Sequence, residues 1–181
     1  MGQREDRGES LEREKAELAA IGEQPLFGEA QLLHLLRAEF ARARRYRFPL
    51  AVLLLAVDRL EERPDLVSAG TRQALLQGLG ERVRRDLRLS DFLGLYRGEQ
   101  LLAVLPHTGG EGARVLARRL AARVEATPFD LAGREVAVTC SIGISSTEDR
   151  ERLFHESLLD QAEKALLLAR DRGGRRIESE L

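Results

Sequence analysis

Two polar residues near the middle of the chain have a spacing that could bind a charged ligand. Arg88 and Asp91 stand three positions apart, and residues 92–96 separate them from a turn that begins at Arg97. A guanidinium can donate two parallel hydrogen bonds to a phosphate or to guanine, and a carboxylate can accept from guanine N–H groups. These two residue types are chemically compatible with such a ligand. An exposed ion pair worth under about 1 kcal/mol is the alternative interpretation.

Other polar clusters are better explained by structure than by chemistry. The glycine-rich run 109–112 lacks the Lys-Ser/Thr that completes a phosphate-binding loop, so it predicts only a helix start. The arginine-rich run 42–47 has little aromatic interleaving, which predicts the solvated face of a helix and no nucleic-acid partner. The three histidines lack the context of a catalytic triad, and with one cysteine they do not predict a zinc site. These histidines are His34, His107 and His155.

Composition limits the classes of protein to which the chain can belong. Its 181 residues, 43% hydrophobic and 33% charged, suit one domain with one core. The net charge of −1 excludes a general binder of polyanions. Lysine occurs only at Lys15 and Lys164, so the other 27 of the 29 basic residues are arginine. Arginine suits phosphate recognition, but the codon usage of a high-GC genome would explain the bias equally well.

The sequence also predicts a cytoplasmic location. The longest apolar run, residues 50–57, is too short to span a membrane, and the charged N-terminus lacks the apolar region of a signal peptide. The single cysteine, Cys140, excludes an internal disulfide framework, and inside a predicted strand it is expected to pack as a small hydrophobic residue.

Hydrophobic periodicity predicts alternating helices and strands. Helices are expected over residues 29–46, around the apolar seam 75–87, around 116–124 and around 159–169. Strands are expected at 50–57, as a hairpin at 91–96 and 100–105, and at 135–144. This order predicts an α/β fold with a mixed, largely antiparallel central sheet flanked by helices. A polar helical stem, residues 1–23, precedes a domain that covers residues 24–181.

Five segments in this order resemble the GGDEF family of diguanylate cyclases. Residues 24–28 (Gln-Pro-Leu-Phe-Gly) are similar to the family's opening Asp-Pro-Leu-Thr-Gly, and 54–58 are similar to its strand ending in Asp-x-Asp. Residues 97–101 (Arg-Gly-Glu-Gln-Leu) stand where Gly-Gly-Asp-Glu-Phe normally stands in the signature hairpin. Segments 138–143 and 162–166 resemble the late strand and the start of the last helix. The resemblance covers nearly the whole chain.

The resemblance implies an enzyme that joins two GTP molecules into cyclic di-GMP, with metal ions and basic groups holding the triphosphates. Several functional positions of the family are altered here. Ala56 offers no oxygen ligand where the first metal-binding Asp stands, and Glu61 would repel the phosphates that a Lys normally meets. Pro64 and Gln73 replace the Asn and Asp that read guanine.

Other positions, in the signature turn and on the last helix, either keep or lose a charge relative to the family. Glu99 retains a carboxylate at the third signature position, whereas Gln100 removes the charge at the fourth. Arg170 keeps the charge of a Lys on the last helix, and Gly174 loses that of a phosphate-binding Arg. The ten positions of the degenerate active site, of which Gly98 keeps the family's glycine, are Ala56, Glu61, Pro64, Gln73, Arg97, Gly98, Glu99, Gln100, Arg170 and Gly174.

From these changes the sequence predicts that the chain is not an enzyme, has no catalytic residue or metal site, and needs no magnesium.

Many family members bind cyclic di-GMP at an inhibitory Arg-x-x-Asp site, which Arg88 and Asp91 match in register, with Arg119 matching a further arginine of a neighbouring domain. The expected function is a cyclic di-GMP receptor that signals by homodimerisation or through an unknown protein partner, for which the stem is the candidate binding element. A ligand-silent scaffold and, less favoured, an active cyclase are the alternatives.

Overall fold

The computed structural model describes residues 26–66, 68–148 and 154–179. The predicted stem, residues 1–23, and the predicted domain boundary at residue 24 lie outside these ranges. None of the helices within them combines the length and the apolar character that spanning a bilayer requires.

Four helices form at the predicted places. Their bounds are α1 (Glu29–Tyr46), α2 (Ala69–Arg84), α3 (Gly110–Ala126) and α4 (His155–Asp171). In α1 the apolar stripe of Leu32, Leu36 and Phe40 recurs every fourth residue and is buried, which is the pattern of a helix packed on a sheet. The hydroxyl of Ser68 accepts a hydrogen bond from the Thr71 amide and so caps the start of α2.

Seven strands form two sheets within the described residues. They are β1 (Leu50–Val57), β2 (Phe92–Tyr96), β3 (Gln100–Pro106), β4 (Phe129–Leu131), β5 (Arg134–Val136), β6 (Cys140–Ser146) and β7 (Ile177–Ser179). The main sheet has the order β2-β3-β1-β6-β7, and β4 pairs only with β5. All pairings are antiparallel except the parallel pair β6–β7. The predicted α/β fold with a largely antiparallel sheet is confirmed.

Strand β1 lies at the centre of the sheet and is buried along its whole length. Its odd-numbered residues, such as Leu53 and Leu55, pack with α2 and α3, whereas Leu54 and Ala56 pack with α1 and α4. A strand covered on both faces needs apolar residues at every position, which explains the unbroken apolar run in the sequence.

The predicted strand over residues 135–144 is two separate strands. Residues 134–136 pair with β4 around a turn in which Ala132 and Gly133 both have positive φ, whereas residues 140–146 pair with β1 and β7. Between them, the Thr139 carbonyl accepts from the Asp58 amide and guides the chain into the main sheet. Because β-branched residues such as Val136, Val138 and Ile142 run through residues 135–144 without an interruption between the two strands, the sequence pattern does not show the change of partner.

The close packing of α4 on β6 depends on Gly143. A Cβ atom at this position would overlap the Ala162 carbonyl oxygen and the Leu166 amide nitrogen, both of which belong to the α4 backbone. We expect Gly143→Ala to lower the free energy of unfolding by about 1–3 kcal/mol or more, because backbone atoms cannot move aside singly. Urea denaturation followed by circular dichroism measures this change.

Gly70 provides the matched control. It lies in α2 with open space where a Cβ would stand, so Gly70→Ala should be neutral or stabilising by up to about 1 kcal/mol. Equal stability of the Gly143→Ala variant and the unaltered chain would contradict the packing described here.

Candidate nucleotide site

The end of β1 is organised by the carboxylate of Asp58. Its Oδ1 accepts from the Ser141 hydroxyl at 2.6 Å, and its Oδ2 accepts from the Thr139 hydroxyl at 2.7 Å and the Arg175 amide at 2.9 Å. These donors come from the start of β6 and from the turn after α4. One side chain therefore joins three segments at the edge of the sheet where the predicted site lies.

Ala56 lies two residues before Asp58 in the chain. It is 3% exposed and stands opposite Gln100 of β3 and Ser141 of β6. The Gln100 side-chain oxygen is buried and has no hydrogen-bond partner among the described residues. The side chain at position 56 therefore supplies no carboxylate, and its neighbour Gln100 offers only a neutral acceptor.

The signature hairpin turn is held by charges on the helices beside it. Arg97 and Gly98 both have positive φ, a conformation that costs energy for the arginine. The Arg97 amide donates to Glu29 Oε2 of α1 at 2.9 Å, and its guanidinium lies 3.0 Å from Glu163 of α4. These contacts fix the strained turn against α1 and α4.

The Tyr96 hydroxyl donates to Glu163 within the same cluster. Burial, then the hydrogen bond to Glu163 and its negative charge, raise the pKa of Tyr96 to about 12. The tyrosine therefore remains a neutral donor at physiological pH. It shares the Glu163 carboxylate with Arg97.

Glu99 lies on the opposite side of the hairpin, where it pairs with Arg72 of α2 at 2.7 Å. The pair borders a cavity of about 440 Å³ with apolar walls that include Leu26 and Leu76, and Gln73 also lines it. This places the predicted positions Gln73, Gly98 and Glu99 together in one cavity.

A second cavity of about 340 Å³ lies on the α4 side of the hairpin. Three cationic side chains line it, together with Gln100, Glu163 and Asp160: they are those of Arg97, Lys164 and Arg170. The Arg170 guanidinium lies 3.7 Å from the Glu61 carboxylate. Six of the ten predicted positions are thus divided between two cavities, and the other four line neither: Ala56, Glu61, Pro64 and Gly174.

The residues present at this edge supply few free ligands for a magnesium ion. The Asp58 carboxylate already accepts three hydrogen bonds, the Glu99 carboxylate is paired with Arg72, and Ala56 contributes only a methyl group. Magnesium requires several oxygen ligands in octahedral geometry. Over residues 26–66, 68–148 and 154–179, no group of three or more His, Cys, Asp or Glu side chains could hold a metal ion.

Gly174 follows the end of α4 and has a φ of +74°. A Cβ atom there would lie 2.9 Å from Asp58 Oδ1. Both the backbone conformation and the nearby carboxylate therefore exclude an arginine at this position without local rearrangement. The loss of this charge, predicted from the resemblance, has a steric counterpart in the fold.

The Arg88–Asp91 segment forms a tight turn between α2 and β2. Asp91 is 6% exposed, and its Oδ2 accepts from the Arg88 amide at 2.7 Å. Its Oδ1 is buried without a hydrogen-bond partner, and burial raises the pKa of this carboxyl group above its ordinary value, against the opposing effects of the Arg88 amide and charge. Arg88 itself is exposed.

Arg119 of α3 contacts Asp86, which lies two residues before this turn. Its Nη2 donates to the Asp86 carbonyl at 3.0 Å, and its Nε lies 3.1 Å from the Asp86 carboxylate. The structure therefore brings the predicted Arg88, Asp91 and Arg119 to one region of a single chain.

Sequence patterns did not identify Asp58, Asp86 or Arg72 as organising residues. A carboxylate just after a buried strand was a visible signal for Asp58, but its three donors come from distant positions. Cys140 is buried as predicted, and burial followed by the charges of Asp58 and Glu125 raises its thiol pKa to about 12.

The fold defines an α/β domain with a largely antiparallel sheet and two cavities beside its hairpin turn. A family model described as "Diguanylate cyclase, GGDEF domain" matches residues 26–176. The chain belongs to this family, as the sequence resemblance predicted.

Individual relatives agree with this assignment. Diguanylate cyclase DgcP of Pseudomonas aeruginosa is 32% identical over 149 residues, which are 82% of this chain and 22% of that protein. The GGDEF domain of PA1120 from Pseudomonas aeruginosa superimposes with a TM-score of 0.79 at 26% identity, covering 86% of this chain and 98% of that domain. The active GGEEF domain of a diguanylate cyclase from Vibrio cholerae gives 0.76 at 25% identity, with 85% and 97% covered.

These comparisons correct one expectation from the sequence. The prediction that the chain is not an enzyme is wrong, because the relatives are named diguanylate cyclases and one structural neighbour is an active domain. The altered positions described above do not by themselves establish that cyclase activity is lost. The chain spans less than a third of the length of the diguanylate cyclases DgcP and DosC.

The central role of Asp58 can be tested by removing its carboxylate. We expect Asp58→Ala to lower the free energy of unfolding by about 3 kcal/mol, because three donors lose their acceptor at once. Asp58→Asn, which keeps one oxygen, should lose less. Urea unfolding is the measurement, with Asp160→Ala, an exposed acid on α4, as the control that should leave stability unchanged.

Proposed function

We propose that this GGDEF domain binds cyclic di-GMP through Arg88, Asp91 and Arg119 and works as a regulatory module in cyclic di-GMP signalling. The observation that carries the proposal is the turn at 88–91, which combines an exposed guanidinium with a buried carboxylate oxygen that has no donor. The arginine of α3 lies beside the same turn.

The chemistry of cyclic di-GMP complements these groups. The ligand carries two phosphodiester charges and two guanines, whose Watson–Crick edges present N–H donors. A buried acceptor without a partner costs about 1–3 kcal/mol, so a guanine N–H that reached Asp91 Oδ1 would relieve that cost. The turn must open slightly for this contact, because the oxygen is covered in the structure.

A ligand held between arginine sites of two domains would link them, and the resulting shift toward the dimer would be the output. A protein partner could read the same shift. The scaffold alternative predicts self-association that does not depend on any nucleotide, so light scattering with and without cyclic di-GMP distinguishes the two.

Calorimetric titration with cyclic di-GMP tests the binding site. We expect binding by the unaltered chain, and an affinity lower by roughly tenfold or more in Arg88→Ala, because a charge-assisted hydrogen bond is lost. Arg37→Ala, which removes an exposed arginine of α1, should leave the affinity unchanged. Absence of heat with the unaltered chain, or equal affinity of the Arg88 and Arg37 variants, would refute the proposal.

A second candidate function is synthesis of cyclic di-GMP from GTP. It is favoured by the names of the relatives and by the cationic cavity in which Arg170 and Lys164 lie. We propose that the domain holds magnesium weakly, since Ala56 supplies no oxygen and Glu99 is paired with Arg72, and that its turnover is slow for this reason.

Restoring a carboxylate at position 56 tests this explanation. With GTP and magnesium, Ala56→Asp should form cyclic di-GMP about tenfold faster or more than the unaltered chain. Ala56→Asn is the control, because it adds nearly the same volume without charge and should not accelerate the reaction. Chromatography of the products measures the rate, and circular dichroism checks that each variant is folded. Equal rates in both variants would contradict the assigned role of position 56.

A further inference from the structure

We propose that Arg123 is an additional ligand-binding residue of the cyclic di-GMP site, and that Asp86 is a positioning residue that holds Arg119 and Arg123 as a pair. This inference rests on the proposed function and adds to it two residues that the sequence motif did not include. It follows from the ion cluster between the end of α2 and the outer face of α3.

The geometry of the cluster is that of one carboxylate shared by two guanidiniums. Asp86 Oδ1 lies 3.1 Å from Arg119 Nε, and Asp86 Oδ2 lies 2.8 Å from Arg123 Nε. Arg119 also donates from Nη2 to the Asp86 carbonyl at 3.0 Å. The two arginines are four residues apart on α3, so they project from the same face of the helix, one turn apart.

Burial differs sharply across the cluster. The Asp86 side chain is only 7% exposed, whereas the side chains of Arg119 and Arg123 are 52% and 44% exposed. The carboxylate thus lies beneath the arginines, which contact it through their Nε atoms and leave terminal N–H groups toward solvent. One negative charge against two positive charges leaves a net positive site.

This arrangement suits a phosphodiester. Two like charges one helical turn apart repel each other when unpaired, and the buried carboxylate offsets that repulsion. A preorganised guanidinium donates two hydrogen bonds to a phosphate with little further loss of side-chain freedom. We therefore assign the phosphate contact to the arginine pair and the guanine contact to the turn at 88–91.

The cluster and the turn belong to one surface. Arg88 is two residues beyond Asp86, and Leu87 between them packs toward the core, which directs its neighbours outward or toward α3. A purely structural ion cluster, joining α2 to α3, is the competing explanation. It predicts changes in stability without changes in ligand affinity.

Titration with cyclic di-GMP distinguishes these explanations in the full chain. We expect Arg123→Ala to bind roughly fivefold to tenfold more weakly than the unaltered chain. Arg123→Lys should recover only part of this loss, because an ammonium lacks the planar fork. The matched control is Arg118→Ala, which removes an exposed arginine from the same helix and should not change affinity.

The role of Asp86 is tested through its dependence on the arginines. Asp86→Asn should weaken binding about threefold or more in the unaltered background, and should have no further effect when Arg119 and Arg123 are both alanine, because the residue acts through them. An additive loss, or no loss, would overturn the assignment of Asp86.

The outcomes separate this inference from the proposed function. If the unaltered chain binds cyclic di-GMP and Arg88→Ala weakens it, but Arg123→Ala matches Arg118→Ala, then only the assignment of Arg123 fails. If the unaltered chain does not bind cyclic di-GMP, the proposed function fails and this inference fails with it.

Discussion

The Asp58 carboxylate is the contact on which the functional edge of the molecule depends. It accepts hydrogen bonds from two hydroxyls at the start of β6 and from a backbone amide beyond α4, so it connects the central strand to the segment that leads into β7. A carboxylate that accepts three hydrogen bonds has little remaining capacity for a metal ion. The same group also occupies the space that a side chain at position 174 would need.

Internal ion pairs engage several charged side chains elsewhere at this edge. Arg170 faces Glu61, Arg72 faces Glu99, and Arg97 faces Glu163. Each pair neutralises a charge that could otherwise meet a phosphate or a metal ion. Because the pairs are partly exposed, each contributes little to stability, and a stronger ligand could displace one partner at modest cost. The edge is therefore electrostatically satisfied without a ligand, and this is compatible with a slow reaction as well as with regulation.

The region between α2 and α3 is organised differently. There a buried acid lies beneath two exposed arginines, and a second buried acid has an oxygen without a donor. In this region the charges of the arginines exceed that of the carboxylate they share, so the surface keeps an attraction for anions. The proposed cyclic di-GMP contact lies in this region, away from the hairpin cavities.

The sequence by itself determined the family, the helices and the central strand. These features depend on local periodicity and on motifs in register, as in the unbroken apolar run 50–57 and the stripe of α1. It did not reveal that residues 134–136 and 140–146 pair with different strands, because no glycine or proline separates the two segments in the sequence. Only the tertiary structure decided which charges meet. The partners of Asp58 are 81 to 117 residues away along the chain, and Asp86 meets arginines of another helix. Such pairs depend on how the elements pack, which no local pattern of residues encodes.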